Sequence, residues 1–199
     1  MRYVEHIVGD FTFTRRVGDA SHALMVATGT GLAPLASMVR QLGHEASSGR
    51  PAPPRVTLLH GNRTWPELAF QEELAGIAAA GHFDFVYVPS VSRPGAEQGR
   101  EAVGRGRTNN ILRLILGLPM AEEQALEEAR KGGSDTRDLE EAVARAVTPQ
   151  LPPGLDLEAL RARLDPASTV VLTCGSPGPM GDVRRVAEGR GMRVEREEW

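Results

Sequence analysis

Cysteine is almost absent from this chain of 199 residues, which contains a single one, Cys174. One cysteine excludes an internal disulfide bond and a cysteine-rich metal site. The five histidines show no paired spacing typical of metal ligands, so we expect no metal site. A basic surplus is absent as well, because the formal net charge is -3. We therefore expect no nucleic-acid partner.

Long apolar runs are also missing. No stretch approaches the length of a membrane-spanning helix, and the N-terminal residues do not resemble a signal peptide. The sequence thus predicts no membrane partner and a cytoplasmic location. Its hydrophobic content of 41% suits one domain with a substantial core.

Short apolar runs and helix-like segments alternate along the chain. The runs typical of strands lie at residues 23–27, 56–60, 83–88, 169–173 and 192–195. The segments typical of helices lie at residues 34–42, 67–80, 109–116 and 182–190. Because the predicted strands are apolar nearly throughout, both faces of their sheet should be covered. The pattern predicts an α/β fold with an open parallel sheet of about five strands flanked by helices. Residues 89–108, rich in Gly, Arg and Ser, are predicted to form a loop.

Residues 121–164 depart from this alternation. They are dense in Glu, Arg and Ala and are interrupted by two adjacent glycines and by several prolines. This composition predicts an inserted pair or trio of surface helices. The insertion is either a solvated surface or a docking surface for a partner.

A glycine-rich turn, TGTGLAP at residues 28–34, joins the first predicted strand to the first predicted helix. Glycines at such a place either serve the geometry of the turn or let phosphates reach backbone N–H groups. Ala33-Pro34 occupies the region where the usual dinucleotide fingerprint has its third glycine, and no acidic residue for the ribose ends the second strand. The turn therefore predicts a nucleotide site of another kind.

Two more polar segments follow predicted strands. Ser92 and Arg93 follow the third strand, with Arg107 further on. Hydroxyl and guanidinium groups suit a phosphate, although loop arginines can be merely solvated. Cys174 and Gly175 end the late strand, where a cysteine is either a small buried hydrophobe or a reactive group. Since ligands of open α/β sheets bind at the carboxyl ends of strands, we expect these residues near a ligand.

Six motifs, spread in order over most of the chain, resemble those of the bacterial-type ferredoxin/flavodoxin–NADP reductases. They are GDFTF at 9–13, TGTGLAP at 28–34, HGNR with ELAF within 60–70, VSR, GR and GLPM within 91–120, CGSP at 174–177 with Met180, and EEW at 197–199. The resemblance is to the NADP-binding domain of that family. It implies hydride exchange between NADP(H) and FAD, with ferredoxin or flavodoxin as the electron partner.

The resemblance also implies roles for individual residues. The implied contacts to NADP(H) come from Thr28, Gly29, Thr30, Gly31, Pro34, Ser92, Arg93, Arg107, Gly175 and Met180. Cys174, near the nicotinamide, and Trp199, against the flavin, are the implied residues at the reaction centre.

Two differences between this sequence and the family's pattern limit what the resemblance implies about cofactor and domain content. Asp182 lies in a region where the family often carries a basic group, which leaves the choice between NADP and NAD open. Nothing before Gly9 resembles the family's FAD-binding β-barrel. We therefore expect residues 1–18 to be a remnant of that domain's closing strand and its linker, and residues 19–199 to be the NAD(P)-binding domain.

Two alternative functions remain open at this point. The chain could be a non-catalytic nucleotide-binding module that pairs in trans with a separate flavin-binding chain. It could also be the NADH-dependent reductase component of an oxygenase.

Overall fold

A computed structural model describes residues 10–95 and 102–197 of the chain. Its strands are β1 (His22–Thr28), β2 (Arg55–Asn62), β3 (Phe85–Val91), β4 (Gly104–Arg105), β5 (Thr169–Cys174) and β6 (Arg193–Arg196). They form a parallel sheet in the order β4-β3-β2-β1-β5-β6. The predicted α/β class with an open parallel sheet is confirmed, with six strands instead of about five.

The helices cover both faces of this sheet. They are α1 (Phe13–Val17), α2 (Leu32–Ser47), α3 (Gln71–Ala80), α4 (Thr108–Ile115), α5 (Ala121–Lys131), α6 (Arg137–Arg145), α7 (Leu157–Arg163) and α8 (Pro177–Glu188). Side chains of β1 alternate between two cores, so that Met25 packs with α2 and α3 whereas Leu24 packs with α4, α7 and α8. This alternation explains why the strands are apolar at successive positions. No helix among the described residues is long and apolar enough to cross a membrane.

The register of the sheet brings several strand ends to the same level. Thr28 at the end of β1 lies beside Gly61 of β2, and Ala27 lies beside Cys174 at the end of β5. The segments that follow these strands therefore emerge at one edge, as parallel pairing requires.

The loop predicted at residues 89–108 is wrong at two places. Strand β3 continues to Val91, and Gly104–Arg105 forms β4. This strand pairs with Ser90 and Val91 of β3, and its Arg105 also bridges to Gln150. It has no apolar run of its own, so the hydrophobic pattern could not reveal it.

Two helix starts also differ from the prediction. Helix α3 begins at Gln71 rather than at residue 67, because Phe70 adopts a left-handed conformation with φ 57° after a 3-10 turn at Trp65–Glu67. Helix α8 begins at Pro177 rather than at residue 182. A proline is favourable in the first turn, where its missing N–H has no helical partner.

Residues 9–13, which resemble the closing strand of the family's flavin domain, do not form a strand in their described part. Gly9 lies outside the described residues, residues 10–12 have no regular structure, and Phe13–Val17 is helix α1. Phe13 and Val17, one turn apart, are buried in the same core as α2. Hydrophobic burial at this spacing favours a helix. The assignment of residues 1–18 to a flavin domain stays a prediction.

Candidate functional site

The glycine turn and the end of β5 touch one another. The backbone N–H of Ser176 donates a hydrogen bond to Oγ1 of Thr28 at 2.8 Å, across 148 residues of sequence. A Cβ atom on Gly31 would overlap the carbonyl oxygen of Cys174, and one on Gly175 would overlap the Thr28 hydroxyl. Two motifs that are far apart in sequence therefore form one surface, which we call the floor of the site.

The turn itself leaves room for a ligand. Gly29 has φ 55°, and a Cβ there would meet no atom within 4 Å. The turn leads into the 16-residue helix α2, whose first N–H groups have no side-chain cap. Such a helix start attracts anions. Thr30 is exposed on the turn, and Pro34 is half-buried in the first turn of α2.

A cleft of about 850 Å³ lies above the floor. Five of the predicted cofactor residues line it, namely Thr28, Gly29, Ser92, Arg93 and Arg107. Thr30, Gly31 and Pro34 are not in its lining. A second depression, of about 450 Å³, is lined by Cys174, Gly175 and Met180. It adjoins the cleft, because Ser176 lines the cleft while its neighbours line the depression. Trp199 lies outside the described residues.

The cleft is cationic in a chain of net charge -3. Its charged lining residues are Arg63, Arg93, Arg107, Arg145, Glu67 and Glu122. Among residues 10–95 and 102–197, the guanidinium of Arg93 has no ion-pair partner, whereas Arg107 donates to Glu122 at 3.0 Å. A local excess of guanidinium groups in a concave surface suits an anionic ligand. Within the same described ranges, no group of three His, Cys, Asp or Glu residues could hold a metal ion.

Residues 25–126, just over half of the chain, match the family model of the oxidoreductase NAD-binding domain. The chain belongs to this family. A comparison with curated proteins finds no match.

Solved structures with the same fold as this NAD-binding domain come from larger proteins. The FAD/NAD-binding domain of nitric oxide dioxygenase from Vibrio cholerae aligns with 96% of the chain at a TM-score of 0.54 and 16% identity. Flavohemoglobin from Malassezia yamatoensis aligns with 95% at 0.52 and 14% identity. The cytochrome b5 reductase domain of Ulva prolifera nitrate reductase aligns with 89% at 0.50 and 16% identity. The chain covers 55%, 34% and 50% of these three structures, respectively.

The NAD-binding domain has a buried hydroxyl in this cleft that the sequence did not reveal. Thr108, in the first turn of α4, lines the cleft and is 3% exposed. Its Oγ1 has no hydrogen-bond partner among the described residues. The sequence offers one indication of a site role for Thr108. Thr108 directly follows Arg107, a candidate phosphate ligand, at the start of a predicted helix. Glu122 and Arg145 gave no such signal, since they belong to the predicted insertion.

Asp182 does not line the cleft. Its carboxylate accepts from Nε and Nη2 of Arg113, both at 2.7 Å, and from Asn109 at 2.8 Å. Burial alone would raise the pKa of Asp182, but the hydrogen bonds from Arg113 and Asn109 outweigh it and lower the pKa. Asp182 is thus part of a buried ion pair between α4 and α8, and it does not repel a ligand in the cleft.

Cys174 is buried, with 2% of its surface exposed. Burial, with a smaller contribution from Glu197, raises the pKa of its thiol to about 11. The thiol is therefore predominantly protonated at neutral pH, which argues against a role as a thiolate nucleophile.

A smaller slot of about 260 Å³ adjoins the cleft at Arg93, which lines both. Trp65 and Pro66, from the 3-10 turn after β2, form part of its wall. An aromatic side chain beside a guanidinium group is a surface on which a planar ring can stack.

Proposed function

We propose that this NAD-binding domain binds NADP(H) in the cleft and serves a flavin-dependent reductase of the ferredoxin/flavodoxin–NADP type. The observation that carries the proposal is the convergence of the glycine turn, the Ser92–Arg93 pair and Arg107 on one cationic cleft. A dinucleotide with a ribose phosphate carries several negative charges, and these segments supply backbone N–H, hydroxyl and guanidinium donors for it.

The donor set of the cleft fits such a ligand. Gly29 leaves open space above the turn, so a pyrophosphate can approach the backbone closely. The unpaired, buried Oγ1 of Thr108 needs a hydrogen-bond partner, which a ribose or phosphate oxygen would provide.

We assign the parts of the ligand to parts of the site. Thr28 and Gly29, which line the cleft beside the start of α2, hold the pyrophosphate, and Ser92, Arg93 and Arg107 hold the adenosine 2′-phosphate. The slot beside Trp65 takes the adenine ring. The nicotinamide end lies toward Cys174, whose neutral thiol packs against the ring without adding charge. When bound, the nucleotide supplies the hydride for the reaction.

The depression at Cys174 continues toward the N-terminal residues. Arg184, Arg196 and Glu197 line both this depression and a further one of about 610 Å³ that includes Phe11. We assign this surface to an FAD-bearing domain, either on the same polypeptide or on a separate one. The resemblance to the reductase family supports the assignment, and it also supports ferredoxin or flavodoxin as the electron partner.

A second candidate is an NADH-dependent reductase, such as the reductase component of an oxygenase. Glu122 favours it, because its carboxylate, only 11% exposed, already neutralises part of the charge of Arg107. A carboxylate near a ribose favours a 2′-hydroxyl over a 2′-phosphate.

The two candidates separate in a titration of the wild-type chain and Arg93→Ala with NADPH and NADH. If Arg93 holds the 2′-phosphate, the substitution weakens NADPH by about 1.5–3 kcal/mol, the scale of a hydrogen bond to a charged group, and leaves NADH nearly unchanged. Arg50→Ala is the matched control, because Arg50 pairs with Glu45 at the far end of α2. Equal losses for both nucleotides would rule out the 2′-phosphate assignment.

A further inference from the structure

The helical insertion reaches the nucleotide cleft. Residues of α6 and of the segment after it line the cleft, among them Arg145, and Glu122 of α5 lines it as well. The insertion was expected to be either a solvated surface or a docking surface for a partner. Its position instead makes it a wall of the candidate site.

The start of the insertion is hydrogen-bonded to Arg107 and to Asn110 in the first turn of α4. Glu122 accepts from Arg107 at 3.0 Å and from Nδ2 of Asn110 at 2.8 Å. The backbone N–H of Ala121 donates to Oδ1 of Asn110 at 2.9 Å. Since Glu122 is nearly buried, its two contacts hold the first turn of α5 against the first turn of α4.

The end of the insertion's α5–α6 pair is tied to the same place. Gln150 forms an antiparallel bridge with Arg105, with both N–H···O distances 2.9 Å. A Cβ on Gly104 would overlap the carbonyl oxygen of Gln150, so the two backbones lie in close contact. Arg105 is two residues before Arg107, and Gln150 is five residues after Arg145. The backbone bridge between Arg105 and Gln150 therefore fixes the end of α6 relative to Arg107.

The side chain of Arg145 is available for a ligand. It is 76% exposed and pairs with Glu141, one turn earlier on α6. An exposed pair of this kind contributes little to stability and exchanges readily for a stronger anion. A phosphate carries more charge than a carboxylate and accepts two parallel hydrogen bonds from a guanidinium group.

We propose that Arg145 binds the adenosine 2′-phosphate of NADP(H) together with Arg93 and Arg107, and that residues 121–150 are part of the nucleotide site. Glu122 and Gln150 are positioning residues in this arrangement, since they hold the two arginines through other contacts. The proposal rests on the proposed function, because it takes the cleft to be the NADP(H) site.

Isothermal titration of the 199-residue chain and its variants with NADPH, NADH and 2′,5′-ADP tests this proposal. Arg145→Ala should weaken NADPH and 2′,5′-ADP by about tenfold, the scale of one charged hydrogen bond, and NADH by less than about twofold. Glu141→Gln removes the competing carboxylate and should tighten NADPH by about twofold. Arg137→Ala is the matched control, because Arg137 is an exposed arginine on the same helix outside the lining of the cleft.

The outcomes separate this proposal from the one on which it rests. If the wild-type chain binds neither NADPH nor 2′,5′-ADP, the proposed function fails and the role of Arg145 fails with it. If the wild type binds both and Arg145→Ala binds them equally well, only the role of Arg145 is overturned. Equal weakening of NADPH and NADH by Arg145→Ala also overturns it, since NADH has no 2′-phosphate. Thermal unfolding of each variant checks that the fold is intact.

Discussion

The floor and the wall of the cleft differ in how tightly they are built. At the floor, residues 28–31 meet residues 174–176 so closely that neither Gly31 nor Gly175 accepts a Cβ atom. At the wall, Arg107 and Arg145 are more than half exposed and are held by carboxylates from the insertion or from their own helix. Packing defines the first surface, whereas charge defines the second.

This difference separates two kinds of effect. A close-packed backbone contact has no room to adjust, so a substitution there should cost folding free energy. Exposed charges contribute little to stability, so a substitution there should change ligand discrimination instead.

The largest effect is expected where the two surfaces are joined. Arg113 is fully buried and its ion pair with Asp182 links α4, which begins next to Arg107, to α8, which follows the floor. Asp182→Asn would remove the only carboxylate among the described residues that is hydrogen-bonded to the buried guanidinium of Arg113 and should lower the free energy of unfolding by about 3–5 kcal/mol. Urea denaturation measures this loss.

Glu188→Gln is the matched control for Asp182→Asn. Glu188 lies on the same helix but forms an exposed pair with Arg184 at 2.7 Å, so the change should cost no more than about 0.5 kcal/mol. Equal losses in the two variants would contradict the view that burial gives the Asp182 pair its importance.

Gly31→Ala should be the next most damaging change. The added methyl group would overlap the carbonyl of Cys174, which is backbone and cannot rotate away, so we expect a loss of about 3 kcal/mol. Thermal unfolding reports the difference. Gly76→Ala, in the middle of α3 where a Cβ meets no atom within 4 Å, should instead stabilise the protein by about 0.5–1 kcal/mol.

Acid should destabilise the sheet through two buried histidines, whereas the arginines of the cleft keep their charge at every pH tested. Burial lowers the pKa of His22 and of His60 from 6.5 to about 4. Between these pH values the unfolded chain binds protons that the folded chain does not. The stability is therefore full above pH 6.5 and falls toward pH 4, by at most about 3 kcal/mol for each histidine.

Urea denaturation from pH 7.5 to 4.5 measures this dependence. His60→Leu should reduce its slope by about half, since one of the two histidines no longer titrates. The variant loses some stability at every pH, because the hydroxyl of Tyr87 loses the partner that lies 2.8 Å away. An unchanged slope in His60→Leu would be evidence against the role of this residue.

The smallest effect concerns the single hydrogen bond across the floor. Thr28→Val removes the acceptor of the Ser176 N–H and should cost about 1 kcal/mol of stability. Thr28→Ser retains the hydroxyl and should lose less than half of that amount. The melting temperatures of the two variants measure this difference. Identical values would show that the Thr28 hydroxyl contributes nothing to stability.

The general fold could be predicted because the patterns that indicate its strands and helices lie in neighbouring residues of the sequence. Residues 23–27 are apolar at every position, and residues 170–172 form an apolar run between Thr169 and Thr173. Such continuous apolar runs indicate strands buried on both faces. The position of the glycine turn between a strand and a helix was equally clear from neighbouring residues. Strand β4 escaped prediction because two residues without apolar character carry no periodicity.

The candidate site could be predicted only in part. The order of the motifs pointed to Thr28, Gly29, Ser92, Arg93 and Arg107, which do line one cleft. It also grouped Cys174, Gly175 and Met180 with them, and the structure places those three in an adjoining depression. The sequence analysis assigned no site role to Trp65 or Thr108. Only the folded chain brings Trp65 to the slot and Thr108 to the cleft.

By itself, the sequence determined the α/β class, the parallel sheet and the strand ends that carry polar residues, because period and composition are properties of neighbouring residues. Only the tertiary structure decided that Asp182 pairs with Arg113 inside the protein, and that Arg145 shares a cleft with Arg107. The Arg113–Asp182 pair spans 69 residues of sequence, and the backbone bridge between Arg105 and Gln150 joins β4 to the segment after α6. Packing and charge pairing in three dimensions select such partners, and no local pattern in the sequence records them.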